Sequence, residues 1–449
     1  MNNSNERNLG IDLLRIVSMI LIMLLHVLGQ GGILKSAEVL STNYDVAYFL
    51  EVLAYPSVAI FGMIMGYVGL NRRHSLSGWV YVFLQVLFYT IITTLIFMFA
   101  GPFVVSHLGS EAGIAKASDM LGASSGFGTF VGLSEIRKMF TPVMTEQYWY
   151  ITAYLGLYFF MDGINHVINT MPRAKCRVML IASVLLFSVL PVTTSVDAYS
   201  LKYGCSIICV FLFYSIGAYV RKYDIGVSLS NLNLVLIYLL SILFTWFSKI
   251  GIETFIGYSE DAPDRGNILI NFHSPTVIIA GLMLLLLFSR MRIGKRAATS
   301  KDMSVSEGAA ASDGSVVSEG APVSEGESRS VSVSEGVTVS EGESRVATAS
   351  EGALAKVIRV LTPLTLGVYL SDTHPLIFTY LMDGRFSNLA TGPVWKLIVC
   401  AILSAFVIYL VGIVIDAVRY FIFEVFHLRK KLKALENYLD NRLRKKEDN

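Results

Sequence analysis

Apolar residues run through this chain in long blocks, each ended by a short polar or basic stretch. About twenty mostly apolar residues suffice to cross a bilayer as a helix. On that measure the pattern predicts ten spans, at 9–29, 47–70, 79–100, 147–168, 176–194, 203–221, 231–250, 270–290, 357–380 and 394–423. Pro275 falls early in the eighth, and Pro363 and Pro375 fall in the ninth, so kinks are expected there. The fold class is an all-α polytopic membrane protein with about ten transmembrane helices. Two long interruptions stand apart. Residues 101–146 are Gly/Ser-rich at first and then amphipathic in FVGLSEIRKMF, a stretch suited to the membrane surface or to partial re-entry. Residues 297–352 repeat Ser-Glu-Gly, starting at 306, 318, 324, 334, 340 and 350. They hold too few large apolar residues to pack a core, and read as a disordered linker. The organisation is then a membrane domain in two parts, 1–296 and 353–423, a linker at 297–352 and a basic tail at 424–449.

Composition supports this picture. Of 449 residues, 54% are hydrophobic and 16% charged, with a mean hydropathy of +0.59. Soluble domains carry roughly 25% charged residues. The net charge of +2 matters less than its placement. Basic residues collect at Arg7, Arg72–Arg73, Arg173–Arg177, Arg221–Lys222, Arg290–Arg296 and the tail, all on one side of a ten-span topology. Both termini are therefore expected to be cytoplasmic, with Arg15 toward the inner leaflet and His26 toward the outer. The first apolar block lacks a small-residue cleavage site and is expected to remain as a signal anchor. The four cysteines lie in or beside apolar stretches without paired spacing, as small core residues do, and no metal site is indicated.

Chemistry concentrates where polarity interrupts the oil. The first span reads IDLLRIVSMILIMLLH, with Asp12, Arg15 and His26 inside it. Ionisable groups at membrane depth usually face a protein interior or a watery cavity. Eleven residues separate Arg15 from His26, which at ~100° per residue returns nearly to the same helix face, about 16 Å further along. Asp12 shares that face. His26 suits a general base for a hydroxyl, or a structural hydrogen bond between helices. Arg15 suits an anionic group, an ion pair with Asp12, or both. Arg72 and Arg73 fit an anionic ligand at the cytoplasmic mouth or plain topological anchoring. Tyr148-Trp149-Tyr150 fits an aromatic belt or stacking on a sugar ring. Asp372 and His374, in GVYLSDTHPL, make a second polar cluster within a span, with Tyr369 beside it.

Together these motifs resemble the membrane-bound acyltransferase 3 family, whose members O-acylate extracytoplasmic glycans. The resemblance covers the chain outside the Ser-Glu-Gly linker. It is carried by RNLGIDLLRIVSMILIMLLH, VAIFGMIMGYVGL with the basic pair after it, QYWYITAYLGLYF leading to Asn165, LFYSIGAYVRKY, NFHSPTVIIAGLMLLLLFSR and LTLGVYLSDTHPLIF. It implies a bacterial, multi-pass plasma-membrane enzyme with acetyl-CoA or another acyl-CoA as donor substrate and no permanently bound cofactor. CoA phosphates would lie near Arg15, Arg72 and Arg73. His26 would be base or transient acyl carrier, and the acceptor a glycan hydroxyl outside. The implied partners are the lipid bilayer, acyl-CoA and the glycan; nucleic acid is not among them, and a protein partner stays open. Two positions depart from the family's pattern. GVYL is commonly followed by Ile-His, whereas here Ser371-Asp372 follows and His374 comes two residues later. Asp162 stands where relatives often have Pro. A glycan or lipid transporter or flippase is the alternative class; it predicts inverted repeats, and the two halves show no such symmetry. A glycan polymerase would place clustered Arg in its large outer loops, and 101–146 has only Lys116, Arg137 and Lys138.

Overall fold

Polar residues between the apolar blocks set the helix ends. Asn8 caps α1 (Leu9–Leu28), its side-chain oxygen accepting the backbone N–H groups of Gly10 and Ile11, donors otherwise orphaned at a helix start. The computed structural model describes residues 7–123, 130–194, 196–258, 263–291, 293 and 352–447, all helix or connection. Seven helical runs among these are long and apolar enough to cross a membrane: Leu9–Ser36, Thr42–Gly69, Leu76–Leu108, Arg173–Thr194, Asn231–Phe255, Ala353–Asp372 and Val394–Val425.

The other three expected spans are helical but shorter. The segment 147–168 divides at Phe159–Phe160, and 203–221 becomes Ile207–Tyr223. The segment 270–290 turns helical only at Pro275, giving Pro275–Ser289, because proline fits the first helical position, where its missing N–H has no partner to lose. Pro363 and Pro375 likewise interrupt the ninth segment, which passes through a 3-10 turn at Thr362–Leu364 and breaks again after Asp372. The protein is a multi-pass membrane protein, seven of whose helical runs reach full spanning length.

In chain order, α2 (Thr42–Ala54) and α3 (Pro56–Gly69) form the second run, and α4 (Leu76–Leu108) the third. Two loop helices follow, α5 (Glu111–Ala123) and α6 (Leu133–Phe140). Then come α7 (Trp149–Tyr158), α8 (Met161–Thr170), α9 (Ile207–Tyr223), α10 (Asn231–Phe255) and α11 (Pro275–Ser289). After the linker come α12 (Thr365–Asp372), α13 (Val394–Val425) and α14 (Leu428–Glu447), the last formed by most of the expected basic tail. By its contacts the chain divides into Met1–Arg292 with Val357–Asn449, and Ile293–Lys356. The expected linker lies outside the described residues except for Gly352, as does 124–129 of the long loop.

α1 sits centrally, packed against α2, α3, α11, α12 and α13, so its ionisable residues lie inside protein. The tightest crossing joins α3 to α9. A Cβ on Gly66 would sit 1.9 Å from the Tyr214 carbonyl oxygen, and one on Gly217 1.8 Å from that of Met63. Only glycine permits that approach, and lipid supplies little hydrophobic drive to compensate for looser packing. Met63, Phe213 and Leu285 fill the core beside it.

The two ends of the bundle are tied differently. At the α1 N-terminus, the Asn8 amide donates to the Ser289 carbonyl at 2.7 Å, Lys222 to that of Ile168 at 3.0 Å, and Arg290 to that of Leu229 at 2.8 Å. There too Glu436 of α14 accepts from the Leu76 N–H at 2.7 Å and the Ser77 hydroxyl at 2.6 Å, capping α4. At the His26 end, Phe386 and Gly384 donate backbone N–H groups to Gly31 and Gln30. Ser110 N–H reaches Tyr380 O, and Lys116 pairs with Asp383 at 2.5 Å. Loop helices α5 and α6 and the segment after Asp372 are thus assembled around the end that carries His26.

Candidate active site

Because α1 is one unbroken helix, it fixes the relation between Arg15 and His26. Both line a single cavity of about 360 Å³, closed by Met19, Tyr150, Tyr154 and Tyr369. Arg15 is partly exposed and makes one ion pair, 3.4 Å to Asp12 Oδ1. Asp12 is divided, since its other oxygen meets Arg7. Arg15 therefore keeps most of its five donors for a ligand in the cavity. At the far end, His26 Nδ1 lies 2.5 Å from Asp372 Oδ2, the last residue of α12. Phe378 meets the imidazole edge-on at 5.1 Å. No hydrogen bond from a described residue engages the other ring nitrogen, Nε2. With Asp372 ionised, Nδ1 carries the proton and the Nε2 lone pair is free. A carboxylate on Nδ1 orients the ring and stabilises the imidazolium that forms when Nε2 takes a proton.

His26 also lines a second cavity of about 330 Å³ with Gln147, Trp149, Tyr369, Thr373 and Phe378. His26, Trp149 and Tyr369 thus belong to both, one cavity running toward Arg15 and the other away from it. A third cavity, about 540 Å³, continues from the second through shared Gln147, Pro375 and Thr379.

The remaining candidates separate into groups. Trp149 faces the cavities, stacked on Phe272 at 5.9 Å. Tyr148 is 1% exposed, with the Tyr369 and His374 rings 6.2 and 6.3 Å away. Arg72 and Arg73 are exposed in the turn after α3, whereas Arg15 lies within the bundle. That turn is pinned from α8: Asn165 donates to Gly69 O at 3.0 Å, and Asp162 accepts from His74 Nδ1 at 2.6 Å and from its backbone N–H. Asp162, the unusual residue at its position, thus holds the loop that carries the basic pair. His374 is buried; its Nδ1 accepts the Leu376 N–H at 3.2 Å and its Nε2 has no partner among the described residues.

A protein-family model described as an acyltransferase domain, the acyltransferase 3 family, matches residues 8–312. The chain belongs to the acyltransferase 3 family. No curated protein and no solved structure matches it. As an acyltransferase it needs a base for the acceptor and a place for each substrate, and the family match includes Arg15 and His26 but ends before Asp372. Sequence reasoning passed over two residues of this acyltransferase's cavities, Gln147 and Glu135. Gln147, whose buried Oε1 has no partner among the described residues, joins the second cavity to the third, while Tyr150, already singled out for stacking, lines the Arg15 cavity with a buried hydroxyl that has no partner among them either. Glu135 lines the third, its carboxylate held below the usual range chiefly by the Ser134 hydroxyl at 2.7 Å. The signal available for Gln147 was its position, directly before the aromatic trio already singled out.

Proposed function

We propose that this acyltransferase moves an acyl group, acetyl by default, from cytoplasmic acyl-CoA to a hydroxyl of a cell-envelope glycan on the outer side of a bacterial plasma membrane. Both termini would then be cytoplasmic. The observation that carries the reading is His26, seated on Asp372 and shared by two cavities, one of which leads to a cation. The CoA phosphates bind near Arg15, with Arg72 and Arg73 at the entrance, and the pantetheine arm lies along the 360 Å³ cavity. The ~16 Å from Arg15 to His26 suits that extended arm. His26 Nε2 takes the proton of the acceptor hydroxyl as its oxygen attacks the thioester carbonyl. The new acyl–oxygen bond forms, the carbon–sulfur bond breaks, and the proton passes from His26 to the departing thiolate. Removing a positioned base costs typically 10²–10⁴ in rate.

NMR of surface glycan from a null strain complemented with wild type, His26→Ala or Arg15→Ala tests this, with membrane expression of each verified. O-acyl signal restored by wild type alone is expected. An O-acyl pattern unchanged in the null strain would refute the acceptor class and turn attention to transport. Signal retained in His26→Ala would keep the family and remove the base.

A further inference from the structure

The third cavity, 540 Å³ at the His26 end, is walled by two parts of the chain that the mechanism above leaves idle: loop helix α6 and the segment after Asp372. Its size falls within the roughly 300–1,000 Å³ of small-molecule sites. Three observations define its chemistry. His374 lines it, is 2% exposed, and leaves Nε2 without a partner among the described residues. Because Nδ1 accepts the Leu376 N–H, the proton of the neutral ring sits on Nε2, so the orphan is a donor. Gln147 supplies the complement, a buried Oε1 with no donor among the described residues. Buried polar groups are nearly always satisfied, so an unpaired donor and acceptor on one cavity wall call for a ligand group that does both. A hydroxyl does both. Glu135 and Lys138 add one charge of each sign and pair loosely at 3.8 Å, so the wall favours neither anion nor cation. Phe130 and Tyr380, with ring centroids 5.3 Å apart, add an apolar face suited to sugar C–H groups.

We infer that this cavity is the acceptor subsite and holds an uncharged saccharide, whose hydroxyls pair with His374 Nε2–H and Gln147 Oε1 while one of them extends past Gln147 to His26. The inference rests on the acyl-transfer reading and adds to it a place and a charge class for the acceptor. His374 is a binding residue here; the proton transfer stays with His26.

Full-length protein in lipid nanodiscs, radiolabelled acetyl-CoA, and cellotetraose as neutral probe beside an oligogalacturonate as anionic probe provide the test. Wild type is expected to acetylate cellotetraose in preference to oligogalacturonate. His374→Phe and Gln147→Leu each raise the KM for cellotetraose about tenfold or more, with the KM for acetyl-CoA within about twofold of wild type. His374→Gln, which restores a donor, recovers part of the loss. The unchanged acetyl-CoA KM reports that each variant is folded; should His374→Phe not fold, Gln147→Leu and Lys138→Gln carry the test, the latter leaving the anionic probe no better accepted. Wild-type acetylation of cellotetraose with no KM change in either variant overturns the subsite while leaving acyl transfer standing. Preference for oligogalacturonate overturns the uncharged class. Absence of transfer to either saccharide by wild type overturns the subsite together with the reading beneath it.

Discussion

Asp372 and His26 stand 346 positions apart in the chain, and neither alone specifies what the other does. In the proposed mechanism they make a base whose tautomer the carboxylate sets. Asp372→Asn keeps the shape but loses the charge that supports an imidazolium, so kcat should fall about a hundredfold or more with the KM for acyl-CoA nearly unchanged; a steady-state assay of purified variants decides. Tyr150 poses a different question, because its hydroxyl is buried without a partner among the described residues beside the cavity that holds Arg15. Tyr150→Phe removes that unsatisfied group, so the ligand-free protein should melt no lower than wild type, and should gain up to about 1–3 kcal/mol. If the hydroxyl meets the thioester carbonyl, the same change lowers kcat by about tenfold or more. A thermal-shift assay and a rate taken on one preparation separate the two effects. Arg15 and His26 were legible in sequence because one helix carries both and 3.6 residues per turn fixes their common face. Asp372 stood out as an ionisable residue within a span and as a departure from a family pattern, but without a partner. Its partner is set by how α12 meets α1, and no local period encodes that.

Between helices, a second Asp-x-x-Arg pair repeats the arrangement of Asp12 and Arg15. In α13, Asp416 accepts from Arg419 at 2.6 and 2.8 Å, and Tyr89 of α4 donates to Asp416 at 2.7 Å. Arg419 is 1% exposed. Gly367 of α12 makes room for the pair, since a Cβ there would lie 1.8 Å from Asp416 Oδ1. Arg419→Leu strands a buried carboxylate and should destabilise by about 3–5 kcal/mol, whereas Arg419→Leu with Asp416→Leu should recover much of the loss. Melting temperatures in one detergent compare them. Hydropathy counted 394–423 as a plain span because three charges among thirty residues scarcely move a mean. The same averaging located the apolar blocks correctly but missed where helix stops inside them. The break at Phe159–Phe160 separates apolar α7 from amphipathic α8, MDGINHVINT, whose Asp162, Asn165, His166 and Asn169 a span-length average smooths over. Pro275 and Pro375 did mark their breaks, because proline alters backbone geometry whatever surrounds it.

Across the whole molecule, the end that carries the N-terminus is closed by the chain's last helix. Glu436 of α14 caps α4, and its carboxylate is held below the ordinary glutamate value of 4.5, chiefly by the Ser77 hydroxyl. A lowered folded pKa stabilises docking above the unfolded value and loses that contribution as pH falls through the folded one. Hydrogen exchange across Leu428–Glu447, corrected for intrinsic rates, should therefore rise as pH drops below 4.5, and Glu436→Gln should flatten the profile. The expected basic tail signalled a side of the membrane by its charge; that it returns as a helix to cap another was invisible, since a Glu among lysines and arginines reads as surface. A larger consequence follows from α1 itself. Arg15 and His26 are spaced by covalent geometry along a helix without a break, so their separation does not adjust to a ligand. The helix is a gauge: a donor anchored at Arg15 presents its thioester at His26 only if its arm has one particular reach. A longer acyl tail would find no room in the interval before the imidazole, which the arm occupies, and beyond it would compete with the acceptor for the space at Gln147 and Thr379. Donors would be sorted first by length, and only then by shape.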